Sequence, residues 1–468
     1  MLSYKSLIRS KNFALFILAM ASFMALLDAS IVNIALPTLS KYFGAGITRV
    51  QWVVTGYGLG IISLLPLGSK LGNKFGQNKI NALGYALFGL GSLLCALAGG
   101  LHALVISRVI QGAGAAMMFS LSQGIVATIF TGQKRGFALG IIGSCVALGS
   151  ITGPSLGGML LDTFGWRSIF YINLPVAAFG AYYSWVSLPS FTRKKLGVID
   201  ITPLFYFIAA AVCFISAFSL AETAGWASPH IIIMLAVSAF FAVLLYKHDK
   251  GSQNPLLNLG LYRNKVFSYG NGALVLIFMA MSINSVLIPF YLQDIYGLSA
   301  FNTGALILTY SLALVIAAPL FGRMSGKIGS RGLTVGGCCL TIAGMFWYMG
   351  LGADFHIWQI ITGQVVMGIG NGMFQSPNNN SIMSAVPRKF YNDASALNSL
   401  ARNIGIATGV ALAVNIFDSL KGFFTAREYA GYAAFGAAYR YTLVYGIIVV
   451  AAAAALSYYG KAEQKARF

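Results

Sequence analysis

The chain has 468 residues, of which 57% are hydrophobic and only 9% charged, and its mean hydropathy is +0.76. A water-soluble domain with an ordinary polar surface is excluded by that composition. Apolar runs long enough to cross roughly 30 Å of hydrocarbon as helix recur along the whole chain, so it reads as an all-α polytopic membrane protein with no separate soluble domain.

In chain order the predicted spanning segments lie at 12–36, 49–67, 80–98, 103–125, 137–159, 168–187, 201–220, 230–246, 266–290, 302–321, 333–351, 357–381, 393–416 and 438–458. The first is too long for the apolar core of a signal peptide and lacks a small-residue cleavage site, so it is expected to be retained. Fourteen segments put both termini on one side. Loops on that side hold 23 of the 31 Lys and Arg residues, whereas the opposite loops hold Lys41, Arg49, Arg167, Lys421, Arg427 and Arg440. Lys and Arg in short loops stay in the cytoplasm, which places both termini there. The net charge of +20 is therefore a topology signal beside anionic lipid, and a nucleic-acid partner is not expected.

"GSKLGNKFGQNK" (68–79) resembles "GRMSGKIGSR" (322–331) when one gap is allowed. This weak repeat suggests two six-helix bundles, 1–195 and 251–468, with segments 7 and 8 inserted as a pair at 196–250. Parallel repeats of that kind are a transporter architecture, with the substrate path between the halves.

Asp28, in "LLDASIVNIALP", is the only acid placed deep in the membrane, and Arg108 and Arg402 are the only deep bases. Counting 1.5 Å per residue brings Asp28, Arg108 and Tyr57 to matching depths. A charge at a helix centre costs about 2.5–3.5 kcal/mol, so such residues face a bundle interior or a watery cavity and find partners. One reading of Asp28 and Arg108 is a structural ion pair, or an arginine that snorkels outward. The other is a proton site, in which a change of hydration or of the Asp28–Arg108 distance switches protonation. Arg402 has three options, in order: snorkelling, a backbone carbonyl, or substrate.

On the fifth segment "GSITGPSLGG" places Gly149, Gly153, Pro154, Gly157 and Gly158 where helices pack closely and bend. On the twelfth, Asn371, Gln375 and Asn378 share one face and are candidates to line the inner mouth of the path. Helix-to-helix hydrogen bonds are the plainer reading of those residues, as of Asn284 and Tyr310. Asn33, Tyr57, Gln111 and Met117 complete the candidate pathway. All five cysteines fall in apolar runs and the four histidines near segment ends, so neither a disulfide, a metal site, a cofactor nor an intramembrane enzyme is expected.

"LDASIVNIALPTL", "RVIQGAGAA", "GPSLGG", "WRSIFYINLP" and "LARNIGIATG" together resemble the motifs of the major facilitator superfamily, specifically its fourteen-helix drug:proton antiporter branch. The resemblance implies two bundles, alternating access and proton-driven export of small amphiphiles through a bacterial cytoplasmic membrane, by a protein read as a monomer with the proton gradient as its energy source. It also implies that Asp28 and Arg108 match the coupling region. The loop after the second segment departs from the pattern, with Asn73 where the family usually carries Asp, so the charged form of a cytoplasmic gate is in question. Gly68, Gly72 and Gly76 are expected to permit its tight turn. With one deep acid the simplest stoichiometry is one proton per cycle. A driving force of about 150–200 mV then supplies roughly 3.5–4.5 kcal/mol, about a thousandfold gradient of a neutral solute. One acid against two arginines ranks neutral, zwitterionic and monocationic cargo above dications, and leaves anions open.

Overall fold

The computed structural model describes residues 10–190, 200–252, 254–298, 300–352, 356–427 and 431–460. Its long elements are helices: α1 (Lys11–Phe43), α2 (Trp52–Phe75), α3 (Gln77–Ala96), α4 (Leu101–Ile129), α5 (Gly132–Phe164), α6 (Asn173–Ser187), α7 (Thr202–Ala224), α8 (Pro229–Gly251), α9 (Lys265–Phe290), α10 (Ala300–Ile328), α11 (Arg331–Met349), α12 (Ile357–Ser384), α13 (Tyr391–Thr425) and α14 (Gly431–Gly460). Ten of them are long and apolar enough to cross a membrane, and α7 adds the shorter apolar stretch Thr202–Phe218. Lys5, Arg9, Arg193, Lys194, Lys195, Lys461, Lys465 and Arg467, counted in the charge asymmetry, lie outside the described residues.

Several helices outrun the apolar segments that announce them. α1 continues from 36 to Phe43 and stops where Gly44, at φ 58°, turns left-handed and returns its N–H to Ser40 O. Asp28 consequently stands at the middle of a 33-residue helix. The sixth segment is divided, with a short turn at Ser168–Tyr171 before α6.

Consecutive long helices run in opposite directions, which brings the basic loops to one end, here called the basic side. Glycines set the closest approaches. A Cβ on Gly60 would strike Val109 O of α4, and one on Gly112 would strike Tyr57 O of α2. α1 and α5 meet in the same way through Gly149, Gly153 and Gly157, whose faces lie against Phe23, Ser30 and Ile31. Small residues let backbones meet where lipid supplies no hydrophobic drive for association, so dispersion and close fit hold the bundle together.

α1–α6 pack on one another, and so do α9–α14. α7 lies against α2 and α13, one helix from each group, while Ser238 Oγ of α8 donates to Ala210 O of α7 at 2.9 Å. Asp249, buried at the end of α8, accepts the N–H groups of Leu256 and Leu257 at 2.8 Å each, which fixes the connection to α9. The apolar core of α1–α6 also takes in Ile382 and Met383 of α12 and Tyr391, Ala394, Leu397 and Leu400 of α13. Away from the basic side the core around Leu27, Ile31, Cys95 and Trp166 is confined to α1–α6. The two groups thus share a core at the basic side, and α5 and α10 extend it to mid-helix through Ala147, Leu314 and Ala318.

Candidate functional site

Asp28 is 1% exposed and Arg108 0%. Arg108 Nη1 donates to Asp28 Oδ2 at 2.5 Å and to Gln111 Oε1 at 2.6 Å, and its Nε donates to Val53 O at 3.1 Å. The other carboxylate oxygen accepts Gln111 Nε2 at 2.8 Å and Asn173 Nδ2 at 2.7 Å. Ser92 Oγ accepts from the same two amides. The Tyr57 ring lies under the guanidinium at 4.2 Å and its hydroxyl donates to Ala25 O at 3.0 Å. The charge sits inside α1–α6, contributed by α1, α2, α3, α4 and α6 together. Three donors around one carboxylate replace the water an ionised acid loses on burial. Moving any of them removes part of that replacement, so the arrangement ties the charge on Asp28 to the packing of four other helices.

Depth counting on α1, α2 and α4 brings Asp28, Tyr57 and Arg108 together, and Gln111, expected only along the pathway, joins them on α4. It misses Asn173 and Ser92. Asn173 stands in "WRSIFYINLP" as a lone amide in an apolar run, a signal that was available, whereas Ser92 is a common small residue with nothing to mark it.

A second constellation closes the basic side. Asn73 Nδ2 donates to Asp393 Oδ1 of α13 at 2.9 Å, and Lys70 Nζ stands 3.7 Å from the same oxygen. Asn392 Nδ2 donates to Asn73 Oδ1 at 2.7 Å and its own oxygen accepts Gln77 Nε2 at 2.6 Å. A Cβ on Gly124 of α4 would come within 2.7 Å of Asn392 Oδ1. On the other flank α5 meets α10 and α12. Arg135 Nε donates to Asn380 Oδ1 at 2.8 Å and Nη2 to Ser384 Oγ, Ser376 Oγ donates to Gly136 O at 3.0 Å, and Ser144 Oγ to Val315 O at 2.8 Å. The seal is charged after all, with its acid on the facing helix instead of in the loop.

The remaining predicted residues divide. Of the loop glycines only Gly76, at φ 105°, makes the turn; Gly68 and Gly72 lie within α2 against Ser120 and Leu121. Gly329, at φ 82°, makes the corresponding turn between α10 and α11, as the internal repeat implies. Asn371, Gln375 and Asn378 are buried: Asn371 donates to Tyr310 OH of α10 at 2.6 Å, Gln375 lies against Gly143 of α5, and Asn378 donates to Gly270 O of α9 at 3.0 Å. α12 is surrounded, so one helical face meets three neighbours. Asn284 donates to Gln364 Oε1 at 3.3 Å, and Met117 is buried beside Gly84. Asn33 is exposed. In the glycine segment Gly158 faces open space, and the side chain of Pro154 lies outside the described ones. Arg402 takes none of the three expected positions outright: its guanidinium lies 5.4 Å from the Phe119 ring of α4.

A bundle of apolar helices in two groups, sealed at one side and carrying a buried ion pair, has the architecture of a membrane carrier. The sequence profile of the Major Facilitator Superfamily matches residues 18–246, 201–410 and 270–466, and the chain belongs to that family of membrane transporters. It is 31% identical over 411 residues to the riboflavin transporter RibZ of Clostridioides difficile (strain 630), covering 87% of this chain and 89% of that protein. It is likewise 31% identical over 405 residues to the multidrug resistance protein Stp of Mycobacterium tuberculosis, covering 86% and 75%. The solved structure of the proton:xylose symporter XylE shares the fold, with a TM-score of 0.62 over 94% of this chain and 95% of that one at 16% identity.

Proposed function

We propose that this protein is a proton-coupled antiporter that exports small amphiphiles across a bacterial cytoplasmic membrane by alternating access. In this reading the chain crosses the membrane fourteen times with both termini cytoplasmic. It has two six-helix bundles, 1–195 and 251–468, and an inserted pair at 196–250. The observation that carries the reading is the carboxylate of Asp28, held inside α1–α6 by Arg108, Gln111 and Asn173. A proton on Asp28 removes the charge those donors compensate and loosens five helices at once, which links protonation to bundle shape. The seal formed by Lys70, Asn73, Asn392 and Asp393 supports a conformer closed to the cytoplasm. Multidrug-resistance relatives support export of drug-like molecules. The test is uptake of a panel of labelled amphiphiles into inside-out vesicles: uptake driven by an imposed proton gradient, collapsed by an uncoupler and lost in Asp28→Asn, is expected. Gradient-independent accumulation would contradict it.

A second reading, a carrier dedicated to one compound, is favoured by the similarity to a riboflavin transporter. A vesicle panel in which a single compound is carried and the rest are ignored would select it.

A further inference from the structure

α13 presents one stripe to α4, and the stripe changes character along its length. Ser395 Oγ and Ser399 Oγ both donate to Phe119 O at 3.4 Å, and Arg402, one turn further on, lays its guanidinium over the Phe119 ring at 5.4 Å. Every residue of α13 from Tyr391 to Ala401 is buried; Arg402 is the first that is not. Beyond it the same stripe carries Ile406 and Val410, 39% and 38% exposed. Arg402 therefore sits where the contact between α13 and α4 ends and the exposed part of the stripe begins.

Its charge is not balanced there. Among the described residues no carboxylate makes an ion pair with Arg402. Asp393 lies nine residues back on the same helix, about 13 Å along the axis, and is engaged with Asn73 and Lys70. Asp28 is enclosed inside α1–α6 with its own arginine. A partly buried guanidinium at this depth has five N–H donors, and an aromatic face occupies one side of it.

We propose that Arg402 anchors substrates bearing a single anionic group, a carboxylate above all, whose apolar body lies along Ile406 and Val410. The guanidinium matches a carboxylate with two parallel hydrogen bonds, and the Phe119 ring lies beside it at 5.4 Å. The proposal rests on the transporter reading above and narrows it, since the uncompensated charge of the path is positive and favours anionic amphiphiles over cationic ones.

The test uses a dansyl-tagged pentanoate, its methyl ester and the corresponding primary amine, titrated by fluorescence against the full-length protein in nanodiscs. The wild type is expected to bind the carboxylate about ten- to a hundredfold more tightly than the ester, and the amine weakest, as a charge-assisted contact predicts. Arg402→Gln removes the preference and leaves the ester affinity in place, whereas Arg402→Lys keeps part of it. Equal binding of acid and ester by the wild type, no binding of the acid, or a preference surviving in Arg402→Gln overturns the proposal. So does equal weakening of acid and ester in both variants, the mark of an arginine that only clamps α13 to α4. Binding in nanodiscs needs no proton gradient, so this result stands or falls separately from the coupling assigned to Asp28.

Discussion

Replacing Asp393 by alanine strips the seal of its acid. Lys70 and Asp393 have side chains 7% and 2% exposed, so their attraction is little screened, and the same carboxylate accepts Asn73 at 2.9 Å. Breaking a fully buried pair costs about 3–5 kcal/mol. Lys70 stands one turn from the end of α2 and can extend toward the basic surface, which lowers the loss to about 2 kcal/mol. That energy is lost by the sealed state alone, so the closed-to-open equilibrium shifts about thirtyfold. A cysteine placed at Ser399, in a background lacking Cys95, Cys145, Cys213, Cys338 and Cys339, reports it through labelling by an impermeant maleimide from the basic side. Asp393→Ala is expected to speed labelling by about that factor, and Lys70→Met with Asp393→Leu to recover most of the protection, because an apolar pair replaces a buried ionic one at little cost. Unchanged labelling in Asp393→Ala, or a double variant as open as the single one, would refute the reasoning.

Asn73→Asp, which restores the residue the family usually carries, sets a second carboxylate against Asp393 and is expected to open the seal and lower proton-driven transport; adding Asp393→Asn exchanges the two groups and restores both. Gly153→Val drives a side chain into Ser30 and Ile31 and should lower thermal stability by about 1–3 kcal/mol, whereas Gly158→Ala meets nothing within 4 Å and should stay within about 0.5 kcal/mol in the same melts. At Gly76 the φ of 105° is unfavourable for any side chain, so Gly76→Ala should cost about 1–3 kcal/mol of stability and disturb the seal next to it, read by the Ser399 labelling rate.

Periodicity and the rise per residue carried the reading of α1, α2 and α4, because a helix converts residue count into depth. Asp28, Tyr57 and Arg108 are legible for that reason. The seal is not. Asp393 opens a helix near the basic end, where an acid looks like an ordinary first-turn residue, and its partners Lys70 and Asn73 are more than 300 positions away. Only tertiary packing turns that exposed-looking acid into a buried one. The packing of the polar face of α12 is hidden for a related reason: spacing places Asn371, Gln375 and Asn378 on one side of the helix, but cannot say that α5, α9 and α10 all crowd against that side. Gly68 and Gly72 look like turn residues in sequence, yet α2 runs on to Phe75, and what they provide is room for α4.

The most direct test of Asp28 as the coupling carboxylate is proton movement itself. Protein is reconstituted in one orientation into liposomes containing a pH-sensitive dye, with a substrate identified in the vesicle panel. Wild type should move protons when substrate is added, and Asp28→Asn should move none while still exchanging labelled for unlabelled substrate across the membrane. Substrate-evoked proton flux persisting in Asp28→Asn would contradict the account.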